Sequence, residues 1–318
     1  MLFFALNGSD DLGRKIAAAG GFQVALHEER EFDGGEHKTR PLTSVRGKDV
    51  YVLHSLNGTS DASANDKLCR LLFFIATCKE NGAARVTAVV PYLAYSRKDR
   101  QTKARDPVTT KYVAALFEAA GTDMIITLDA HTVIAYQNAY RCQSIHVDPN
   151  RLFAESLVAA MNSERYAVLS PDAGGIKRAQ LFQETLETSA GRDIAFAMME
   201  KRRSGGVVSG SLFAGDVDGR TVYVVDDMIV GGETVKRAAR TCLENGARDV
   251  HVVATHALFG ANGAENPVGD DIGRLFVTDS IEMPDHVAAA LGSRLQIVSV
   301  APLLGAVINR SHSSAYAS

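Results

Sequence analysis

The densest run of chemically capable residues is Asp226-Asp227-Met228-Ile229-Val230-Gly231-Gly232-Glu233-Thr234, which follows the apolar stretch Val222-Tyr223-Val224-Val225 and precedes a helical pattern. A strand, an acidic pair, a glycine-bearing loop and a helix start, in that order, suit an anion joined to a polyol. Glycines let backbone N–H groups turn toward an anion, and the helix N-terminus adds partial positive charge. The two carboxylates ahead of the loop are placed to accept hydrogen bonds from sugar hydroxyls or to hold a metal through water. Read structurally, the same run is an acidic turn before a glycine-rich helix start.

Other candidates stand after other apolar runs. Asp129 and His131, two apart after Met124–Leu128, are expected to point to one side and to face a cation together. Asp172 follows Ala167–Leu169, and the basic segment Arg97-Lys98-Asp99-Arg100 follows Val86–Val90. Lys201-Arg202-Arg203 runs into Ser204-Gly205-Gly206, the composition of a flexible loop.

The elements that must position these residues follow one grammar. A helical pattern closed by glycine leads into a short Val- and Ile-rich run, then into polar or acidic residues. Val50–Leu53, Val86–Val90, Met124–Leu128, Ala167–Leu169, Val222–Val225 and Val250–Ala254 are such runs, and Leu2–Leu6 reads as the first strand. Runs without polar alternation are strands covered on both faces, so the pattern predicts a mainly parallel α/β sheet with flanking helices. Ligands then sit at the carboxyl ends of the strands, where the candidates lie. Asn81-Gly82-Ala83 and Asn245-Gly246-Ala247 echo each other between a helix and a strand, which suggests two similar domains.

At 318 residues the chain exceeds the usual size of one hydrophobic core. Two domains are expected, 1–147 and 148–318, meeting near Val147-Asp148-Pro149. Apolar residues make up 46% and charged residues 22%, an ordinary globular composition. A net charge of -3 without a long basic run disfavours a nucleic acid polymer as partner, so any phosphate site is local. Four scattered cysteines with no CxxC pair give neither a disulfide framework nor a zinc signature. No stretch approaches the roughly 20 apolar residues of a membrane helix, and a soluble cytoplasmic protein is expected.

The run from Asp226 to Thr234 resembles the loop that binds 5-phosphoribosyl 1-diphosphate (PRPP) in phosphoribosyltransferases and in ribose-phosphate pyrophosphokinases. Resemblance to the pyrophosphokinase family runs along the whole chain. It is carried by Ser44-Val45-Arg46-Gly47, Asn65-Asp66, Pro91-Tyr92, Tyr95–Arg100, Leu128-Asp129-Ala130-His131, Ser170-Pro171-Asp172, Lys201-Arg202-Arg203 and Ser299–Leu304. The resemblance implies two phosphoribosyltransferase-like domains and transfer of a diphosphoryl group from ATP to ribose 5-phosphate, with Mg2+ as cofactor. It also implies a homo-oligomer, dimers built into a hexamer.

Roles follow from the same resemblance. Arg97, Lys98 and Arg100 would grip ATP, with Phe32 and Glu36 reaching adenine from a neighbouring subunit. His131 would hold the ATP-bound Mg2+, joined by Asp129 and Asp172. Asp172, Asp226 and Asp227 would bind the ribose, and Val230, Gly231, Gly232, Glu233 and Thr234 its 5-phosphate. Lys201 and Arg203 would close over the transferring group. The chain departs from the pattern at Gly34 and Val230, where Asp is usual, and at Lys98, where Gln is usual. Gly231 replaces Thr, and Glu233 replaces a small residue with a carboxylate that opposes a phosphate. The departures keep a regulatory paralogue open as an alternative, and the loop alone also fits a phosphoribosyltransferase. The stretch between His131 and Asp148 is longer than the family pattern and is expected to be a surface loop.

Overall fold

The computed structural model describes residues 1–162, 164–204, 207–259 and 268–315; the side chains of 201–211 and of 314–315 fall outside that set. The chain forms two compact units, Met1–Val147 with Ser280–Glu282 and Ser299–Ser318, and Asp148–Asp279 with Met283–Val298.

In the first unit the order is β1 (Leu2–Ala5), α1 (Asp10–Gly20), β2 (His27–Glu31), β3 (His37–Pro41), β4 (Asp49–Leu53) and α2 (Ala64–Glu80). It continues with β5 (Arg85–Val90), α3 (Thr109–Ala119), β6 (Met124–Leu128), α4 (Val133–Ala139) and β7 (Gln143–Val147). The sheet runs β1-β4-β5-β6-β7, every pair parallel, while β2 and β3 make a separate antiparallel hairpin. Phe4, Leu6, Val50 and Val52 share a core with Leu71, Phe74 and Ile75 of α2 and Val113 and Phe117 of α3. Capping is reciprocal at the start of α2: the Ser63 side chain accepts from Asp66 N–H and the Asp66 side chain accepts from Ser63 N–H. The stretch between His131 and Asp148, expected as a surface loop, instead contains α4 and β7, because its apolar residues Tyr136 and Tyr140 are buried in the core.

The second unit runs α5 (Asn150–Val158), β8 (Tyr166–Ser170), α6 (Ile176–Ala190), β9 (Ala195–Ser204), β10 (Val207–Gly215), β11 (Thr221–Ile229) and α7 (Glu233–Glu244). Then come β12 (Asp249–Ala257), β13 (Arg274–Thr278), α8 (Asp285–Leu291) and β14 (Leu295–Val298). Its sheet has the order β10-β9-β8-β11-β12-β13-β14, parallel except for the β9–β10 pair. Strand β11 lies near the middle. Val222 and Val224 pack with Val235, Ala238 and Cys242 of α7, and Tyr223 and Val225 pack with Phe153, Phe182 and Leu186 of α5 and α6.

The last helix, α9 (Ala301–Ala315), belongs to the first unit, so the expectation of one domain over 148–318 is corrected at its tail. Packing decides this. A Cβ placed on Gly305 would lie 3.0 Å from Gly20 N, so α9 and α1 approach backbone to backbone, and Asn309 Nδ2 donates to Gly20 O at 2.7 Å. At the far end of α9, His312 Nδ1 lies 2.7 Å from Asp49 Oδ2. Asp49 is 1% exposed and also takes a two-pronged contact from Arg85, Nε to Oδ1 at 2.8 Å and Nη2 to Oδ2 at 2.7 Å. Arg85 Nη2 reaches Tyr51 Oη and Ser311 O as well, tying β4, β5 and α9 at one point.

Burial alone would raise the Asp49 carboxyl, but hydrogen bonds from Arg85 and His312 outweigh it and hold it below the usual carboxylate value. A depressed carboxylate adds stability above its unfolded pKa of about 3.9 and loses it as pH falls further. Asp49→Asn is therefore expected to cost about 3 kcal/mol at pH 7, since it leaves a guanidinium without its partner. Denaturant unfolding of the whole protein at pH 7 and pH 3.5 checks this, the difference shrinking at the lower pH.

Candidate active site

In the second unit the acidic pair lies inside strand β11, not after it as the sequence reading had it. The ladder to β12 continues through Asp226↔Ala254 and Met228↔His256 to Ile229↔Ala257, whereas β8 pairs with β11 only from Thr221 to Val224. The β8 ladder thus stops short of Asp226-Asp227, and β8 ends at Ser170 and leads into Pro171-Asp172. Asp172 caps the short 3-10 turn Ala173–Gly175, its Oδ1 accepting from Gly175 N–H at 3.0 Å, while Ser170 Oγ donates to Asp172 O at 2.8 Å.

The three carboxylates feel one another. Asp227 is 3% exposed. Burial first, then the Asp227 carboxylate beside it and the Asp172 charge beyond, push the Asp226 carboxyl up to about 8, against the pull of Asp227 N–H on Asp226 Oδ1 at 2.9 Å. A surplus of negative charge at a strand end is a place for sugar hydroxyls or a cation.

After β11 the chain turns out of the sheet. Val230 is exposed, Gly231 would carry a Cβ with nothing within 4 Å, and Gly232 takes φ +78°, a left-handed conformation that suits glycine. Gly232 has no side chain to cap α7, so the first N–H groups of that helix receive no bond from an N-cap side chain. Glu233 opens α7 with its carboxylate exposed, 3.4 Å from Lys236 Nζ. It favours the helix dipole and opposes an anion at the same place. Thr234 is half-buried in the first turn. Lys201 and Arg203, expected on a loop, fall in β9 paired with β10, and their side chains lie outside the described residues.

In the first unit the basic segment leaves β5 through Pro91. Arg97 and Arg100 are exposed and make no ion pair among the described residues, and Lys98 Nζ lies 3.6 Å from Asp106 Oδ2. Asp106 was missed by the sequence reading although the following Pro107 marks a turn. Its carboxylate accepts from Thr102 Oγ1, Thr102 N–H and Lys103 N–H at 2.7, 3.2 and 3.0 Å and so closes the far half of the loop. Asp129 is buried with φ +43°, so the pleat argument that placed it beside His131 does not apply; β6 has already ended at Leu128. His131 is half-buried two residues on. Phe32 and Glu36 close the tip of the β2–β3 hairpin, with Phe32 N–H donating to Glu36 O at 2.8 Å. Arg30 lies over the exposed Phe32 ring at 5.3 Å. Gly34 takes φ +94° in that turn, so this hairpin shape suits glycine there.

Because burial and the neighbouring Asp227 carboxylate raise the Asp226 carboxyl well above the roughly 3.9 of an unfolded Asp, stability falls as pH rises from about 3.9 toward the raised folded value. Asp226→Asn removes that cost. Without nucleotide or divalent cation, it should raise the melting temperature by about 3–6 °C at pH 7.5 and leave it nearly unchanged at pH 4. Equal shifts at both pH values would rule out the charge crowding.

Residues 1–121 match the family model of the N-terminal domain of ribose phosphate pyrophosphokinase, and residues 208–318 match that of the phosphoribosyl synthetase-associated domain. Ribose-phosphate pyrophosphokinase 1 of Streptococcus pneumoniae is 33% identical over 313 residues, covering 97% of this chain and 93% of the relative. The ribose-phosphate pyrophosphokinase of Caldanaerobacter subterraneus is 33% identical over 97% of this chain and 94% of its own. Among solved structures, the phosphoribosylpyrophosphate synthetase of Mycobacterium smegmatis superposes with a TM-score of 0.85 at 28% identity over 98% of this chain and 99% of that one. With a strand-end acidic pair, a glycine loop ahead of an uncapped helix and full-length relatives at this identity, the chain belongs to the ribose-phosphate pyrophosphokinase family.

Proposed function

We propose that this protein transfers the diphosphoryl group of Mg-ATP to the 1-hydroxyl of ribose 5-phosphate, giving PRPP and AMP. The observation that carries the reading is that relatives named for this activity align over 97% of the chain. Strand β11 supports it, since it carries an acidic pair straight into a glycine loop and an uncapped helix start.

In this reading Asp226 and Asp227 orient the ribose by accepting from its hydroxyls, with Asp172 beside them. The N–H groups from Gly231 to Thr234 hold the 5-phosphate. The ribose 1-hydroxyl oxygen attacks the β-phosphorus and gives up its proton to solvent, the bond from that phosphorus to the α-phosphate oxygen breaks, and AMP leaves with the bonding electrons. Such transfer depends on in-line positioning and charge neutralisation more than on covalent catalysis. Arg97, Lys98 and Arg100 supply positive charge to ATP, and Lys201 and Arg203 to the moving group. Phe32 and Glu36, exposed at a hairpin tip, suit contact with adenine held by a second copy of the chain.

The donor chemistry fits Mg2+. Asp129 and His131 of the first unit, and separately Asp172 of the second, offer donors of the kind Mg2+ takes, and among the described residues no group of three or more His, Cys, Asp or Glu forms a cage. Magnesium typically takes few protein ligands and completes its shell with water and phosphate oxygens. When bound, it neutralises part of the polyphosphate charge. Among the described residues no helix is long and apolar enough to cross a membrane; we place the enzyme in the cytoplasm.

The direct test is AMP release by the purified protein with Mg-ATP and ribose 5-phosphate; a folded protein that releases none refutes the proposal. Lys201→Ala and Arg203→Ala should each lower kcat by about 100-fold with ATP affinity nearly kept, and unchanged turnover would remove them from the mechanism. Glu233→Gly should lower the KM for ribose 5-phosphate several-fold, on the order of what removing one opposing charge from a phosphate loop yields. No change in that KM would place the phosphate elsewhere.

A further inference from the structure

Tyr95 is a bulky L residue with φ +65°, in the left-handed region. Such a conformation persists only where surrounding contacts hold it, and residues of this kind cluster at functional sites. Five hydrogen bonds hold it and the turn that it opens. The Tyr95 hydroxyl donates to Asn65 Oδ1 in the first turn of α2. The Tyr95 carbonyl accepts from Lys98 N–H at 3.2 Å, closing a turn whose central residues are Ser96 and Arg97. Thr110, 5% exposed in the first turn of α3, extends its Oγ1 to Tyr95 O at 3.2 Å and to Lys98 O at 3.1 Å. Thr110 N–H donates to Lys98 O at 3.2 Å as well.

The contacts have a common effect. They pin the backbone on both sides of Arg97 to α3 and the Tyr95 side chain to α2, while the Arg97 and Arg100 side chains stay exposed and make no ion pair among the described residues. Asn65 itself has no capping duty: the box at the start of α2 is made by Ser63 and Asp66 alone. Its neighbour Asp66 is thus accounted for by the helix, and Asn65 by the strained tyrosine.

We infer that Asn65, Tyr95 and Thr110 are positioning residues that lock the Tyr95–Lys98 turn and so hold Arg97 in place for the ATP polyphosphate. The inference rests on the reading of Arg97–Arg100 as the ATP loop. Preorganised charge loses no ordering entropy on binding, so loosening the turn weakens ATP binding before it touches the reacting atoms.

Steady-state kinetics on full-length protein separate the possibilities. Tyr95→Phe keeps the ring and loses the hydroxyl, and Thr110→Val keeps the shape and loses the Oγ1 donor. Each should raise the KM for Mg-ATP by about 5–10-fold, the size of one hydrogen bond, with kcat and the KM for ribose 5-phosphate within about two-fold. Thr110→Ser should behave as wild type. Asn65→Ala, exposed and easily tolerated, should match Tyr95→Phe, and the double variant should be no worse than either single one. Arg97→Ala serves as the control on the underlying reading. If it raises the KM for Mg-ATP while Tyr95→Phe, Asn65→Ala and Thr110→Val do not, the positioning role falls and the ATP loop stands. If it leaves that KM unchanged, both fall. Equal changes in the two KM values, tracking a lowered melting temperature, would also overturn the inference in favour of a purely structural role.

Discussion

Strand β11 is covered on both faces and paired on both edges, and this constraint governs the second unit. Along Thr221–Val225 every side chain is buried, so a charge there would face a large desolvation cost. Charge becomes tolerable only where the ladder to β8 stops, and there the chain places Asp226 and Asp227. Even so the crowding is costly enough to push one carboxyl far from its usual range. A folded protein that keeps such a pair holds a site suited to hydroxyl donors or a cation, at some expense in stability when it is empty.

The two units treat the same framework differently. Asn81 and Asn245 end α2 and α7 with Nδ2 donating to the carbonyl four residues back, Thr77 O at 2.8 Å and Thr241 O at 2.7 Å. Gly82 O then accepts from Gly47 N–H, and Gly246 O from Gly219 N–H, at 2.7 and 2.8 Å. Cys78 and Cys242, free thiols in the last turn of each helix, are fully buried against their sheets. Counting from these interlocked turns, the pair Asp226-Asp227 inside β11 is matched just after β4 by His54-Ser55. The buried His54 is neutral, its pKa lowered to about 3 by burial and by Lys67, and Nδ1 lies 3.2 Å from Ser9 Oγ. One framework carries two acids at this place in the second unit and uncharged groups at the matching place in the first.

Charge is handled differently again on the two basic segments. Arg85 is spent on Asp49, Tyr51 and the end of α9, so its guanidinium serves the fold. Arg97, on the fixed Tyr95–Lys98 turn, and Arg100, just beyond it, are exposed and make no ion pair among the described residues. Burial with a matched partner and exposure on a rigid base are the two states in which arginine is most useful, the first for stability and the second for binding polyphosphate.

Most of the strands, and the polar residues that follow them, were legible in the sequence, because a strand buried on both faces needs an unbroken apolar run and a parallel sheet exposes only its carboxyl ends. Val50–Leu53, Val86–Val90, Met124–Leu128 and Val222–Val225 show this directly, as does the glycine-bearing step into α7. Tertiary structure decided the rest. The continued ladder to β12 drew Asp226 and Asp227 into the strand, and the left-handed φ of Asp129 and Tyr95 took both off any periodic pattern. Close contact between Gly305 and Gly20 sent α9 back to the first unit across most of the chain. Periodicity reports burial along one element, whereas these outcomes depend on which partner lies beside it, and that is set by packing between residues far apart in sequence.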